Sequence, residues 1–441
     1  MLIKNDLIQQ CRVRQKQLLA VNMILSIKRR RRKRIINSIL MNHRKFSHYR
    51  KRNTWKDFLE DMLLENDFET TTRMPSLAAF NELCEVLKPG LMSSNRQYKS
   101  TIRNIEVEFK VYLTLRILAG GDPLDLNKTI GISKYSVYRY FKLTVDLINN
   151  NPIFSINLPT GDKLNEIKEG FAKLSGDRDF NESVTRPTPM KGCVGALDGY
   201  LASIDKSVCK GSSDYYFSGH YFHHGLNVQA MCDHMCRFTY FNVIAPGKCP
   251  DSVALQKCLD LLDWLSELPT GRNDSECYFI LADAAYICNR KVLTPFKGPQ
   301  KLVPQNDSYN FYLSQLRIRI EQSFGLLSNK WRILRTPLGS DIKRAVRILN
   351  CCARLHNFVI DRRPVIDDED NFIEDDDMEV LFTQSDSQLG YVPSDIEQVS
   401  QDRRRKLTIH DPSLRAQIVS NRIVVGNWNR PNYNIVRNNN N

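Results

Sequence analysis

Cys277-Tyr278-Phe279-Ile280-Leu281-Ala282-Asp283 is an apolar run closed by a carboxylate. An unbroken run of this kind, with no polar alternation, predicts a strand buried on both faces. Asp283 should then project at the C-terminal edge of a sheet, where open α/β sheets place their chemistry. Upstream lie strand candidates Cys193–Ile204, Tyr221–Met231 and Phe238–Ala245, followed by a helix over Ser252–Leu265. Downstream, Ser314–Leu334 carries Leu316, Ile320, Phe324, Leu327, Trp331 and Leu334 at spacings of 4, 4, 3, 4 and 3, which predicts a long amphipathic helix. Strands first, then alternating helix and strand, imply a mixed sheet covered by helices.

Two further acids stand where a carboxylate needs a reason. Asp198 interrupts the apolar strand between Leu197 and Gly199, and Glu321 lies one position off the stripe of the long helix. Three acids on separate buried elements can converge on a hard divalent cation, which prefers oxygen ligands. Two such ions would support phosphodiester cleavage. Each acid also has a simpler reading. Asp198 suits a turn beside Gly199, Asp283 suits a helix N-cap, and Glu321 can pair with Arg317 four residues earlier. His220, His223, His224, Cys232, His234 and Cys236 crowd one region, but no Cys-x2-Cys pair gives them a zinc spacing. No phosphate-cradling G-x-x-x-x-G-K-[ST] loop and no G-x-S-x-G elbow occurs, which argues against P-loop NTPases and α/β-hydrolases.

Residues 54–160 read as helical. Trp55–Leu64 and Ser76–Leu87 show three- and four-residue apolar spacing, and Val107–Ala119 ends at Gly120-Gly121. Pro123–Ile130, the turn at Gly131 and the N-cap Ser133 then lead into a helix Lys134–Leu147. That is the layout of a helix-turn-helix, whose second helix would present Lys134, Tyr135, Tyr138, Arg139 and Lys142 to DNA. A plain helical packing module has the same outline.

The 441 residues carry 63 Lys+Arg against 49 Asp+Glu, a net of +14. Residues 1–52 hold 16 of those cations and one acid, so the remainder is close to neutral. The densest stretch, Lys28-Arg29-Arg30-Arg31-Arg32-Lys33-Arg34, reads as a nuclear import signal, a clamp on DNA phosphates, or both. Asp367–Glu379 holds nine acids in 13 positions and reads as an acidic linker ahead of a poorly ordered tail. No apolar run approaches the ~18 residues of a membrane span. The apolar stretch Leu18–Ile27 precedes its basic cluster, the wrong order for a secretory signal, so the 12 cysteines are expected as reduced thiols. The expected organisation is a basic arm over 1–53, a helical domain over 54–160, an α/β domain over 161–363, and linker and tail over 364–441.

Several motifs occur together and in order: Gly195-Ala196-Leu197-Asp198-Gly199, Tyr221-Phe222-His223-His224-Gly225-Leu226-Asn227-Val228-Gln229, Ala245-Pro246-Gly247 before Asp251-Ser252, Leu281-Ala282-Asp283-Ala284-Ala285-Tyr286, Arg317-Ile318-Arg319-Ile320-Glu321-Gln322-Ser323-Phe324-Gly325, and Leu355-His356-Asn357-Phe358. Through them, roughly residues 55–360 resemble the PIF/Harbinger transposases, eukaryotic DDE-type nucleases with an RNase H-like catalytic fold. The resemblance implies catalytic and metal-binding roles for Asp198, Asp283 and Glu321. It implies two Mg2+ ions per site, with Mn2+ as a substitute, and a supporting role for Asp251. The implied activity is endonucleolytic cleavage of double-stranded DNA at transposon ends, followed by strand transfer from the freed 3′-hydroxyl. Implied partners are a Myb-like helper protein and further copies of the same chain, in the nucleus. Tyr200 departs from the small hydroxyl residue usual after Asp-Gly, and Ala284-Ala285 replace Ser-Gly. The alternative is a domesticated, non-cutting DNA- or protein-binding regulator.

Overall fold

The computed structural model describes residues 54–92, 105–175, 188–209, 211, 213–269, 277–339, 341–363, 407–425, 428 and 430. The basic arm with Arg29, Arg30, Arg31 and Arg32, and the acidic stretch Asp367–Glu379, lie outside them.

Helices α1 (Trp55–Leu64), α2 (Phe68–Thr72), α3 (Leu77–Leu91), α4 (Val107–Leu118), α5 (Pro123–Ile130) and α6 (Lys134–Asn150) come first. Their starts follow capping chemistry: the side chains of Thr54, Ser76, Asp122 and Ser133 accept backbone N–H groups of α1, α3, α5 and α6. Gly131 closes α5 at φ 73°, a left-handed conformation natural to glycine, and Ser133 opens α6 two residues later. The block is sealed by Trp55 stacked on Phe80, with ring centroids 5.2 Å apart, and by Phe109 edge-on to the same indole.

The described residues from Thr54 onward group as one compact unit, and the helical block shares a continuous core with the sheet region. Helix α6 packs on the late helix α11 (Ile342–Ile360), where Asn149 donates to the Arg347 carbonyl at 2.9 Å. Leu164, Ile167 and Phe171 of α7 (Gly161–Leu174) are buried against the sheet side of the molecule.

The mixed sheet contains β1 (Cys193–Ser203), β2 (Phe217–Ser218), β3 (His223–Cys232), β4 (Phe238–Pro246), β5 (Phe279–Ala282) and β6 (Val292–Leu293). Strand β1 is central, antiparallel to β3 and parallel to β5; β5 continues parallel to β6, and both β2 and β4 pair with β3. The run that opened the sequence reading is buried on both faces. Phe279 and Leu281 enter the core shared with the helical block, while Ile280 and Ala282 enter a second core on the opposite face. That second core is covered by α8 (Asp251–Gln256) and α9 (Leu259–Glu267). The single helix expected over Ser252–Leu265 is broken at Cys258, whose non-helical backbone redirects the chain so that Leu261, Leu262, Trp264 and Leu265 are buried. The first face is covered by the long helix α10 (Pro304–Lys330) and by α11.

Within the stretch beyond residue 364, expected as linker and poorly ordered tail, the described residues 407–425 pack on the sheet unit through α12 (Ser413–Ile418) and a π-helical turn, Val419–Val424. Leu414, Ile418, Ile423 and Trp428 are buried in the main core. Arg415 donates to the carbonyls of Thr294 and Pro295 across the Phe296 ring, and Arg422 to those of Pro189 and Lys191. Two arginines that reach backbone carbonyls elsewhere in the fold make this segment look polar in sequence.

Candidate active site

Strand register builds the site. The parallel β1–β5 pairing sets Leu197 opposite Ala282, so Asp198 and Asp283 follow side by side where β5 stops. Asp198 Oδ1 accepts the Gly199 N–H at 2.8 Å, and Asp283 Oδ1 accepts the Ala285 N–H at 2.7 Å. Asp283 therefore shapes a turn as well as facing Asp198.

Helix α10 brings the third acid. Leu316 and Ile320 are fully buried beneath it, which turns Arg317 and Glu321, each one residue on, toward β1. Arg317 does pair with Glu321, Nη2 to Oε1 at 2.6 Å, as local spacing allows. That pair lies inside the site, because Arg317 Nη1 also reaches Asp198 Oδ2 at 3.4 Å. Burial pushes the Asp198 carboxyl up to about 7, the adjacent Asp283 charge adds to the rise, and the Arg317 charge opposes it. The structure thus unites Asp198 with Asp283 directly, and joins Glu321 to them through a guanidinium. Among the described residues, no three His, Cys, Asp or Glu side chains close around a single point as a metal would require. The donor set nevertheless fits a hard divalent cation: it is all oxygen, and a half-compensated cluster of acids already holds a cation, Arg317, between two of its members.

A fourth acid joins them, which the spacing argument did not reach. Asp251 begins α8, and its Oδ1 accepts Asn227 Nδ2 at 2.8 Å and Gln229 Nε2 at 3.1 Å. Gln229 in turn accepts the hydroxyl of buried Tyr286 at 2.8 Å. Burial first, and Asp283 among the lesser causes, raises the Asp251 carboxyl, while its amide partners pull it down. Asp251 approaches the sheet from the opposite face to α10, directly against Gly199. A Cβ added at Gly199 would lie 2.2 Å from Asp251 Oδ1. Apart from the family resemblance, the signal in the sequence was polar Asn227 and Gln229 alternating in an apolar strand.

Residues 197–357 match the profile of a family described as DDE superfamily endonuclease, a span that starts beside Asp198 and contains Asp251, Asp283 and Glu321. Over that span the chain is similar to DDE superfamily endonucleases. The chain is also 24% identical over 323 residues to "Protein ALP1-like" of Arabidopsis thaliana, covering 70% of this chain and 75% of that protein. No solved structure matches. The resemblance read from the motifs therefore stands at the level of a DDE-type, transposase-derived nuclease, and the mixed sheet flanked by helices agrees with an RNase H-like domain.

Other residues singled out in sequence find definite places. Within the matched span, Tyr200 follows Asp198 on the same face of β1 but is stacked on Phe324, ring centroids 5.1 Å apart, so it packs against α10. The histidine and cysteine cluster is split by β3: His220, His223 and His224 sit at its start, and Cys232, His234 and Cys236 at its end. A ten-residue strand separates them by about 30 Å, which rules out one shared zinc site. Outside that span, Lys134, Tyr135, Tyr138, Arg139 and Lys142 are exposed along one face of α6, while Val137, Phe141 and Val145 are buried on the other. Lys134 Nζ lies 6.0 Å from the Tyr138 ring centroid.

Proposed function

We propose that this protein is a metal-dependent DNA endonuclease of transposase type, cutting at transposon ends and joining the freed end to a target. The observation that carries the reading is the pairing of Asp198 and Asp283 at the C-terminal end of β5, with Glu321 reaching the same edge from α10. Asp198, Asp283 and Glu321 would hold Mg2+, or Mn2+ in its place, as two ions per site. Bound ions of this kind activate water and stabilise the leaving oxygen in phosphodiester cleavage. The chain's own part is positional. Gly199 and Ala285 N–H groups orient the two aspartates, Asn227 and Gln229 fix Asp251 behind them, and Arg317, paired with Asp198 and Glu321, would be the cation at hand for a phosphate.

Duplex DNA is the partner. The α5–α6 pair would act as a helix-turn-helix with Lys134, Tyr138, Arg139 and Lys142 on the backbone or base edges. Arg29, Arg30, Arg31 and Arg32 would attract DNA without sequence preference and serve nuclear entry. A Myb-like helper and self-association complete the proposed assembly.

A second reading has one specific observation behind it: Arg317 already neutralises Asp198 and Glu321, as expected of a domesticated regulator that binds without cutting. Thermal unfolding in Mg2+ separates the two. On the nuclease reading, millimolar Mg2+ raises the midpoint of wild type but not of Asp198→Asn. The rise is larger at pH 8 than at pH 6, because an Asp198 carboxyl near 7 must lose its proton to bind metal. A wild-type midpoint unmoved by Mg2+ or Mn2+ at both pH values supports the regulator.

A further inference from the structure

The hairpin joining β2 to β3 carries exposed rings: Phe217 lies edge-on to His224 and Tyr221 edge-on to His220, while Phe222 is the most exposed of them. Phe217 pairs with His224 and Ser218 with His223, leaving a loop of Gly219, His220, Tyr221 and Phe222. Phe222 is 80% exposed, and it holds φ at 57°, the left-handed region that bulky side chains avoid. The turn is fixed by Phe222 N–H donating to the Ser218 carbonyl at 2.9 Å. A strained backbone that presents a large apolar ring to water carries two costs at one residue, and such outliers gather at functional positions. Tyr215, two residues before β2, is 66% exposed, and Phe217 and Tyr221 are more than a third exposed.

The tip is continuous with the carboxylate site. Strand β3 leaves this loop and supplies Asn227 and Gln229, the residues that hold Asp251. The charge of His220 acts on Asp251. After burial, the charges of Asp251, Asp198 and Asp283 all act on Tyr221, whose hydroxyl is pushed up to about 12. From Phe217 to His224 the chain has three histidines and no carboxylate, and exposed Lys248 is tied by its N–H to the Tyr215 carbonyl. Aromatic faces among cationic or neutral donors are the chemistry that takes stacked bases along a phosphate backbone. A duplex offers only base edges in its grooves, so ring faces select bases that are already unpaired.

We infer that the β2–β3 tip, with Phe222 at its centre, is a stacking platform for unpaired bases of a DNA strand led to the carboxylate site. This deepens the nuclease reading and rests on it for the identity of the polymer. The test uses full-length Asp283→Asn protein in EDTA, so that binding is read without cleavage. The probes are a DNA duplex with a single-stranded overhang carrying 2-aminopurine and the matching blunt duplex. Phe222→Ala should weaken overhang binding about fivefold or more and restore the 2-aminopurine fluorescence quenched by stacking, leaving blunt-duplex binding unchanged. Phe222→Trp should retain the quenching. Because the ring is exposed, neither change should lower the unfolding midpoint. Equal loss on both probes, no loss on either, or a change of oligomeric state in Phe222→Ala would overturn the platform. The nuclease reading is judged separately by cleavage with the Asp283 side chain intact.

Discussion

At the scale of single residues, the site is organised around an absent side chain. Gly199 gives its N–H to Asp198 on one face of β1, and its missing Cβ leaves room for the Asp251 carboxylate on the other. Adding one methyl there should force Asp251 off Asn227 and Gln229. We expect Gly199→Ala to cost about 1–3 kcal/mol in urea unfolding, with an unchanged m-value. A neutral result would mean that the Asp251 network is not held against the strand. Asp198 and Asp283 were legible in sequence because a carboxylate inside or ending a buried strand is conspicuous. Asp251 was legible only through the family resemblance, because an acid at the start of a helix is ordinary. Only the fold brings Asn227, Gln229 and Tyr286 around it.

At the scale of elements, local chemistry carried far. Pro123–Ile130 and the start of α6 at Lys134 follow from proline, glycine and serine signals, and β1 and β4 follow from their apolar periods, whereas α10 matches the expected Ser314–Leu334 only from Ser314 to Lys330: it begins earlier, at Pro304, and stops where the Trp331 backbone leaves the helix. What periodicity could not place were elements whose burial depends on distant partners. The C-terminal segment is the clearest case: Leu414 and Ile418 mark only one short turn, and Arg415 and Arg422 disguise it by serving carbonyls far away in the chain. Removing residues 407–441 should therefore destabilise the whole unit. Four buried apolar side chains at roughly 1.5–3 kcal/mol each predict a fall of many degrees in the unfolding midpoint. A truncated protein that melts with wild type would show that this segment adds nothing to the fold.

At the scale of the whole molecule, attraction and chemistry are separated along the chain. The excess positive charge belongs to residues 1–52, while the remainder balances 47 basic against 48 acidic groups and so can concentrate acids at one sheet edge. Deleting residues 1–52 should weaken binding to any duplex and flatten the plot of log affinity against log salt, with little effect on sequence preference. An unchanged salt slope would place the phosphate contacts elsewhere. The central claim is that the acids on β1, β5 and α10 cut DNA. It is tested most directly by incubating supercoiled or inverted-repeat DNA with Mg2+ and either wild type or Asp283→Asn. Nicked or cut products bearing 3′-hydroxyl ends from wild type, and none from Asp283→Asn, are predicted; identical outcomes from the two proteins would contradict it.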